Sequence, residues 1–264
     1  MIDIADFVGV EGEVYLTQTG EVTVRCEKIT LLSKTLRPLP EKFHGLNDTE
    51  TIYRQRYLDL ITNEKSRQVF LTRSKIESFI RRYLEDNGFI EVETPVLQTS
   101  VSGASAKPFF THHNALDIEC NLRIATETWL KQCISAGFDR VFEMGKDFRN
   151  EGMDPSHLQE FTQVEWYASY WNFEDNIKFF YELVNKMLKE CLGTTKVTYQ
   201  GQEIEFASQW PRINYVERMN EILGFDCLAE EDVDAFTKKV VERGLYTYSD
   251  LEECKTVRTL IDYI

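Results

Sequence analysis

Phe148–Tyr167, reading FRNEGMDPSHLQEFTQVEWY, decides how this chain is understood. It reads as two strands joined by a polar loop. Residues two apart on a strand share a face. The first strand then sets Arg149 beside Glu151, and the second sets Phe161, Gln163, Glu165 and Tyr167 on one side. Val164 and Trp166 fall on the other side and suit a core. The first face combines a guanidinium, carboxylates and aromatic rings, a mixture that no ordinary core contains. Arg149 presents a planar fork that fits a phosphate or a carboxylate. Phe161 presents a stacking plane, and Glu165 with Tyr167 suits a cation. The competing reading is the solvated side of an antiparallel sheet, which is commonly polar on one face.

Ahead of this hairpin, Val8 to Ser33 alternates in the manner of strands, with a turn at Thr19-Gly20. Such a hairpin is too little for an independent fold and reads as the end of a small β-barrel. Leu36 to Asp48, with Pro38, Pro40 and Gly45, reads as a linker. Thr51 to Asp59 carries IYRQRYLDL, suited to a buried helix start or an interface. Thr72 to Asn87 is an amphipathic helix with Ile76, Phe79, Ile80, Tyr83 and Leu84 on one side, stopped at Gly88. A strand over Phe89 to Val92 follows, limited by Pro95. Thr99 to Ala106, TSVSGASA, reads as a surface loop or as one that closes over a ligand, with Gly103 allowing close backbone approach. A strand near Leu122 to Ala125 leads to a helix capped by Thr126, with Glu127 in its first turn, and then to a short strand Arg140 to Met144. For Glu127 alone, complementing the helix dipole is the plain alternative.

Beyond the hairpin, Asn172 and Asp175 form a capping box for a long helix whose buried face is read as Ile177, Phe180, Val184, Met187, Leu188 and Cys191. A second hairpin spans Val197 to Phe206. Helices follow at Asn214 to Ile222, Glu231 to Glu242 and Ser249 to Ile264.

The chain has 264 residues, room for one large domain or for a catalytic domain with a small module. A net charge of -14 does not favour nonspecific contact with nucleic acid, although it leaves room for a local basic track. The six cysteines include no C-x-x-C pair, which argues against a zinc ribbon and for reduced thiols in the cytoplasm. No apolar run approaches a membrane span. His112 and His113 are adjacent, so on a strand they point to opposite faces and are poorly placed to share a metal.

Several segments together resemble the lysine-specific class II aminoacyl-tRNA synthetases. They are LLSKTLRPLPEKFHGL with IYRQRYLDL, SGASAKPFFTHHNALD, LRIATETWLK, and FRNEG with EFTQVEWY. FRNEG resembles the general motif 2 of class II enzymes, and the helix, strand and Pro95 resemble motif 1, the dimer-forming element. The resemblance implies an α+β fold, an antiparallel sheet flanked by helices, over residues 46–264. It implies an OB-fold anticodon-binding remnant and linker over residues 1–45. Motif 3 and the acidic residues that hold Mg2+ are expected beyond Ile264. The chain thus resembles a truncated fragment, expected to exchange little pyrophosphate by itself.

The implied reaction is activation of lysine by ATP to lysyl-adenylate, followed by transfer to tRNA(Lys), in a cytoplasmic homodimer that binds no membrane. In this scheme Arg149 bridges the lysine carboxylate and the α-phosphate. Glu151 accepts from the adenine amino group, Phe161 stacks on the ring, and His157 reaches the outer phosphates. For His157 the plain alternative is an exposed loop histidine. Gly103 and Glu127 hold the α-amino group, while Glu165 and Tyr167 hold the ε-ammonium. Two places depart from the family pattern. Thr126-Glu127 stands where Pro-Glu is usual. Ser156-His157-Leu158-Gln159-Glu160-Phe161 stands where Arg-His-Asn-Pro-Glu-Phe is usual, which removes one positive charge. The alternative function is a synthetase-like binding or regulatory protein without catalysis. A relative that lysylates something other than tRNA is a third.

Overall fold

The Thr19-Gly20 turn closes a long antiparallel hairpin of β1 (Phe7–Leu16) and β2 (Val22–Ser33). The computed structural model describes residues 1–37, 39, 48–154, 156–207 and 210–264, so most of the expected linker lies outside the described residues. Asp48 then caps α1 (Thr49–Arg54), accepting from the Thr51 N–H, and α2 (Arg56–Thr62) follows at once. Within α2 the buried Asp59 pairs with Arg56 at 2.7 Å.

Asn63 caps α3 (Glu64–Asp86), which begins eight residues before the expected Thr72. The added residues open with a polar run, Glu64 to Gln68, and Val69, Phe70 and Leu71 after it are exposed, so no buried apolar stripe marks these turns. The strand expected over Phe89 to Val92 shrinks to β3 (Ile90–Glu91), followed by β4 (Leu97–Gln98), β5 (Phe110–His113) and β6 (Ile118–Leu122). The strand expected at Leu122 to Ala125 is therefore displaced toward the N-terminus. Arg123 leaves the β6 ladder and uses its backbone elsewhere, as described below. Next come α4 (Glu127–Ser135), β7 (Arg140–Phe148), β8 (Glu160–Ala168) and α5 (Phe173–Leu192).

These elements form an α+β arrangement of antiparallel sheets flanked by helices. One sheet has the order β3-β7-β8, with β3 joining parallel to β7, and another has the order β4-β6-β5. β7 and β8 pair antiparallel from Arg140↔Ala168 to Phe148↔Glu160. Their apolar face covers a core of Phe79, Tyr83, Leu84, Phe89, Phe142, Phe179 and Leu183, joined by Val164 and Trp166. Burying each such large side chain stabilises by roughly 1.5–3 kcal/mol. The rings of Trp171 and Phe179 meet edge-on at 5.1 Å, and the Arg140 guanidinium lies over Trp171 at 5.2 Å.

The Asn172–Asp175 capping box is present on α5 as the sequence suggests. Its buried face is the expected one in part: Leu188 is buried and Val184, Met187 and Cys191 pack against the core, but Phe179, Leu183 and Asn185 turn inward as well, while Ile177 and Phe180 remain exposed. The aromatic cluster around Trp166 and Trp171 takes Phe179 as its partner and so sets the rotation of the helix.

The chain divides into two compact units, Met1–Thr195 and Lys196–Ile264. The second contains the hairpin β9 (Lys196–Tyr199) and β10 (Gln202–Glu205), then α6 (Tyr215–Leu223), α7 (Val233–Glu242) and α8 (Val257–Tyr263). Its own core is built on Leu223, Phe236, Val240 and Leu260. The helix expected over Ser249 to Ile264 forms only from Val257. Thr247 and Asp250 bond to each other in a local turn, and Thr256 supplies a new cap.

Candidate active site

The polar face of the β7–β8 hairpin gathers the expected residues, with one correction. β7 ends at Phe148, so Arg149 and Glu151 lie in the loop rather than on the strand. Pairing persists one step further, as the Arg149 N–H donates to the Gln159 carbonyl at 2.8 Å. The Arg149 guanidinium lies 5.2 Å from the centre of the Phe161 ring. The loop is anchored by Asn150 N–H to the Lys107 carbonyl at 2.7 Å and by Lys107 N–H to Glu151 Oε1 at 3.3 Å. The segment after Gly103 is thereby tied to the hairpin tip.

Arg149, Glu151, His157 and Phe161 line one cavity of roughly 260 Å3, together with Gly152, Ser156, Leu158 and Gln159. The His157 ring stays exposed, with Nδ1 2.7 Å from Asp154 Oδ2. Backbone N–H donation from Ser156, then the His157 ring, holds the Asp154 carboxyl below the usual carboxylate range.

Glu165 stands at the other end of this face. Its Oε2 accepts from Thr126 Oγ1 at 2.9 Å and Gln163 Nε2 at 3.0 Å, and its Oε1 accepts from the Tyr167 hydroxyl at 2.6 Å. All three donors are neutral, and among the described residues no ion pair reaches this carboxylate. Burial, and then the hydrogen bond to Glu165, push the Tyr167 phenol far upward, so it remains a donor. Thr126 occupies the N-cap position of α4 but does not cap it, because its hydroxyl is committed to Glu165. Glu127 pairs with Lys131 at 2.6 Å, and that ammonium lies 5.6 Å from the Tyr167 ring centre. Gly103 has φ +87°, and a Cβ there would stand 3.0 Å from Ala125 Cβ and 3.2 Å from Glu127 Cβ. The loop thus packs directly on the start of α4, which brings Gly103 and Glu127 together.

On the same face of β7, buried beside the site, lies a charged layer that sequence reading missed. Arg123, Glu143 and Asp147 are all almost fully buried. Arg123 Nη1 bonds Glu143 Oε1 and also Thr94, whose own N–H and hydroxyl donate to Glu143 Oε2. Arg123 Nε donates to the Lys146 carbonyl at 2.9 Å. The Arg123 backbone donates to Val96 and accepts from Phe148, so a single residue joins the two three-stranded sheets. Gly145 leaves room for this guanidinium, since a Cβ there would fall 2.3 Å from Arg123 Nη2. The available signal was the spacing of Glu143, Gly145 and Asp147, two residues apart on β7.

The family described as tRNA synthetases class II (D, K and N) matches residues 48–256. The chain belongs to this family. Similar curated relatives of this class II family include a lysine–tRNA ligase of Lactococcus lactis subsp. cremoris (strain MG1363), 48% identical over 92% of this chain and 49% of that protein. A lysine–tRNA ligase of Streptococcus pneumoniae (strain Hungary19A-6) is 50% identical over 93% of this chain and 50% of that protein. One from Fervidobacterium nodosum is 48% identical over 92% of this chain and 48% of its own length. The chain spans about half the length of the curated relatives it matches. Among the described residues of this class II synthetase chain, no group of three or more His, Cys, Asp or Glu side chains is placed to hold a metal ion. No helix among them is long and apolar enough to cross a membrane.

Proposed function

We propose that this chain binds lysine and ATP side by side and contributes to the formation of lysyl-adenylate, the first half of charging tRNA(Lys). The observation that carries this reading is Glu165: a half-buried carboxylate held by three neutral donors, on the same sheet face as Phe161. A buried carboxylate of this kind calls for a cation, and the lysine ε-ammonium supplies one. Gly103 and Glu127 take the α-amino group, with Glu127 exchanging Lys131 for the substrate. Arg149 draws the lysine carboxylate and the α-phosphate together and offsets their repulsion, so its contribution is positioning and charge stabilisation. Adenine stacks on Phe161, with its amino group donating to Glu151, and His157 faces the outer phosphates. Stacking on the ring face that Arg149 covers requires the guanidinium to swing off it toward the phosphate.

Within the same proposal, residues 1–45 belong to an anticodon-binding barrel, residues 46–264 belong to the catalytic domain, and the protein works in the cytoplasm as a homodimer. Calorimetric titration of the purified chain with lysine, and separately with ATP, tests the core of the reading. Saturable binding of L-lysine, with norleucine failing to bind, is expected because the uncharged analogue leaves Glu165 buried and unpaired. Equal binding of the two amino acids would overturn it. Lysine-dependent ATP–pyrophosphate exchange distinguishes catalysis from the alternative of binding alone.

A further inference from the structure

Asp147 sits on the site face of β7, opposite Phe161, and is 1% exposed. Neither of its carboxylate oxygens accepts a hydrogen bond among the described residues. Arg123 Nε lies 3.2 Å from Asp147 Oδ1, yet its N–H is donated to the Lys146 carbonyl. Four charged groups face Asp147: Arg123 after β6, Glu143 on β7, Arg149 in the loop and Glu165 on β8. Counting Asp147 itself, three carboxylates share two guanidiniums. Glu143 and Glu165 also stand directly opposite each other in the ladder, a repulsive arrangement.

We propose that Asp147 is a positioning residue that matches the charge of the site to its cationic ligand, carrying a proton in mildly acidic solution while the site is empty and releasing it when an ammonium docks beside Glu165. The inference rests on the assignment of Glu165 to the lysine ε-ammonium. A buried carboxyl with no donor is favoured in its neutral form, and burial pushes Asp147 up to about 6 against the pull of Arg123. An arriving ammonium lowers it again. The proton leaves the Asp147 hydroxyl for solvent, lysine keeps all of its own protons, and no covalent bond other than that O–H changes.

The test is lysine binding to the 264-residue chain, followed by calorimetry near pH 6 in two buffers of different ionisation enthalpy. Release of a substantial fraction of one proton per lysine is expected, with affinity rising about fivefold between roughly pH 5 and pH 7. Asp147→Asn should bind lysine with no proton release and a flat pH profile. In the unliganded chain, carboxyl-carbon NMR should show one aspartate titrating near pH 6 that is absent from the variant. Lysine binding without proton release, or release that persists in Asp147→Asn, overturns the inference and leaves the Glu165 assignment standing. Absence of lysine binding at any pH overturns both.

Discussion

Glu165 is the residue on which the substrate reading turns, and Glu165→Gln isolates its charge. The amide keeps shape and hydrogen-bonding capacity, while a hydrogen bond to a charged group is worth about 1.5–3 kcal/mol. Lysine affinity should fall roughly ten- to hundredfold, with ATP affinity little changed because Arg149 and Phe161 are untouched. A lysine titration of the variant checks this, and unchanged affinity would return Glu165 to an ordinary solvated sheet face. Asp147 offers an independent measure through stability. Its folded pKa of about 6 lies above the ordinary 3.8, so the folded chain holds the proton more tightly than the unfolded chain does. Stability is then full below about pH 4 and falls as pH rises toward 6, by up to about 3 kcal/mol. Asp147→Asn should remove this loss, gaining stability at pH 8 and nothing at pH 4, as read from urea unfolding at the two pH values. The face shared by Phe161, Gln163, Glu165 and Tyr167 was legible in the sequence because strand alternation has a fixed period. The Arg123–Glu143–Asp147 layer was legible only in its β7 half, where Glu143, Gly145 and Asp147 alternate, because the partner Arg123 comes from a distant segment and leaves no local pattern.

The elements were legible in proportion to the strength of their end signals. Asn172 accepts from the Glu174 and Asp175 N–H groups, and Asp175 returns the bond to the Asn172 N–H. The α5 start was therefore readable, and Asn172→Ala should cost about 1 kcal/mol in thermal or urea unfolding. A loss under a few tenths would mean that the box contributes little. The rotation of α5 was harder to read, because Phe179 and Phe180 are equally apolar and Trp166 meets both rings, while Trp171 and Phe89 meet Phe179. Thr126 shows the opposite case: a good capping residue at the start of α4 spends its hydroxyl on Glu165, and the helix begins without a side-chain cap. The strand near Leu122 to Ala125 ran late for a related reason, as Arg123 is pulled out of β6 by partners in β7 and at Thr94.

For the molecule as a whole, the two-fold homodimer is the assembly predicted, through the α2–α3 region and the segment leading to Pro95. Homodimers of this symmetry are the commonest closed assemblies. Tyr53, Tyr57, Ile61, Val69 and Phe70 are exposed along this region, which is consistent with a surface that another copy covers. Light scattering at high protein concentration should report twice the chain mass, and a monomer under those conditions would remove the prediction. The seam at Arg123 carries a consequence for the order of folding. Arg123 and Glu143 must lose their water there, and the loss is offset only when they meet each other, Thr94 and the Lys146 carbonyl. The strands on both sides are therefore expected to form first, which predicts that the seam closes after the rate-limiting barrier. Weakening it with Thr94→Val should quicken unfolding and leave the refolding rate nearly unchanged in stopped-flow chevrons. A slower refolding limb would place the seam in the nucleus instead. If it closes last, it is by the same reasoning the first joint expected to part when the folded chain begins to come undone.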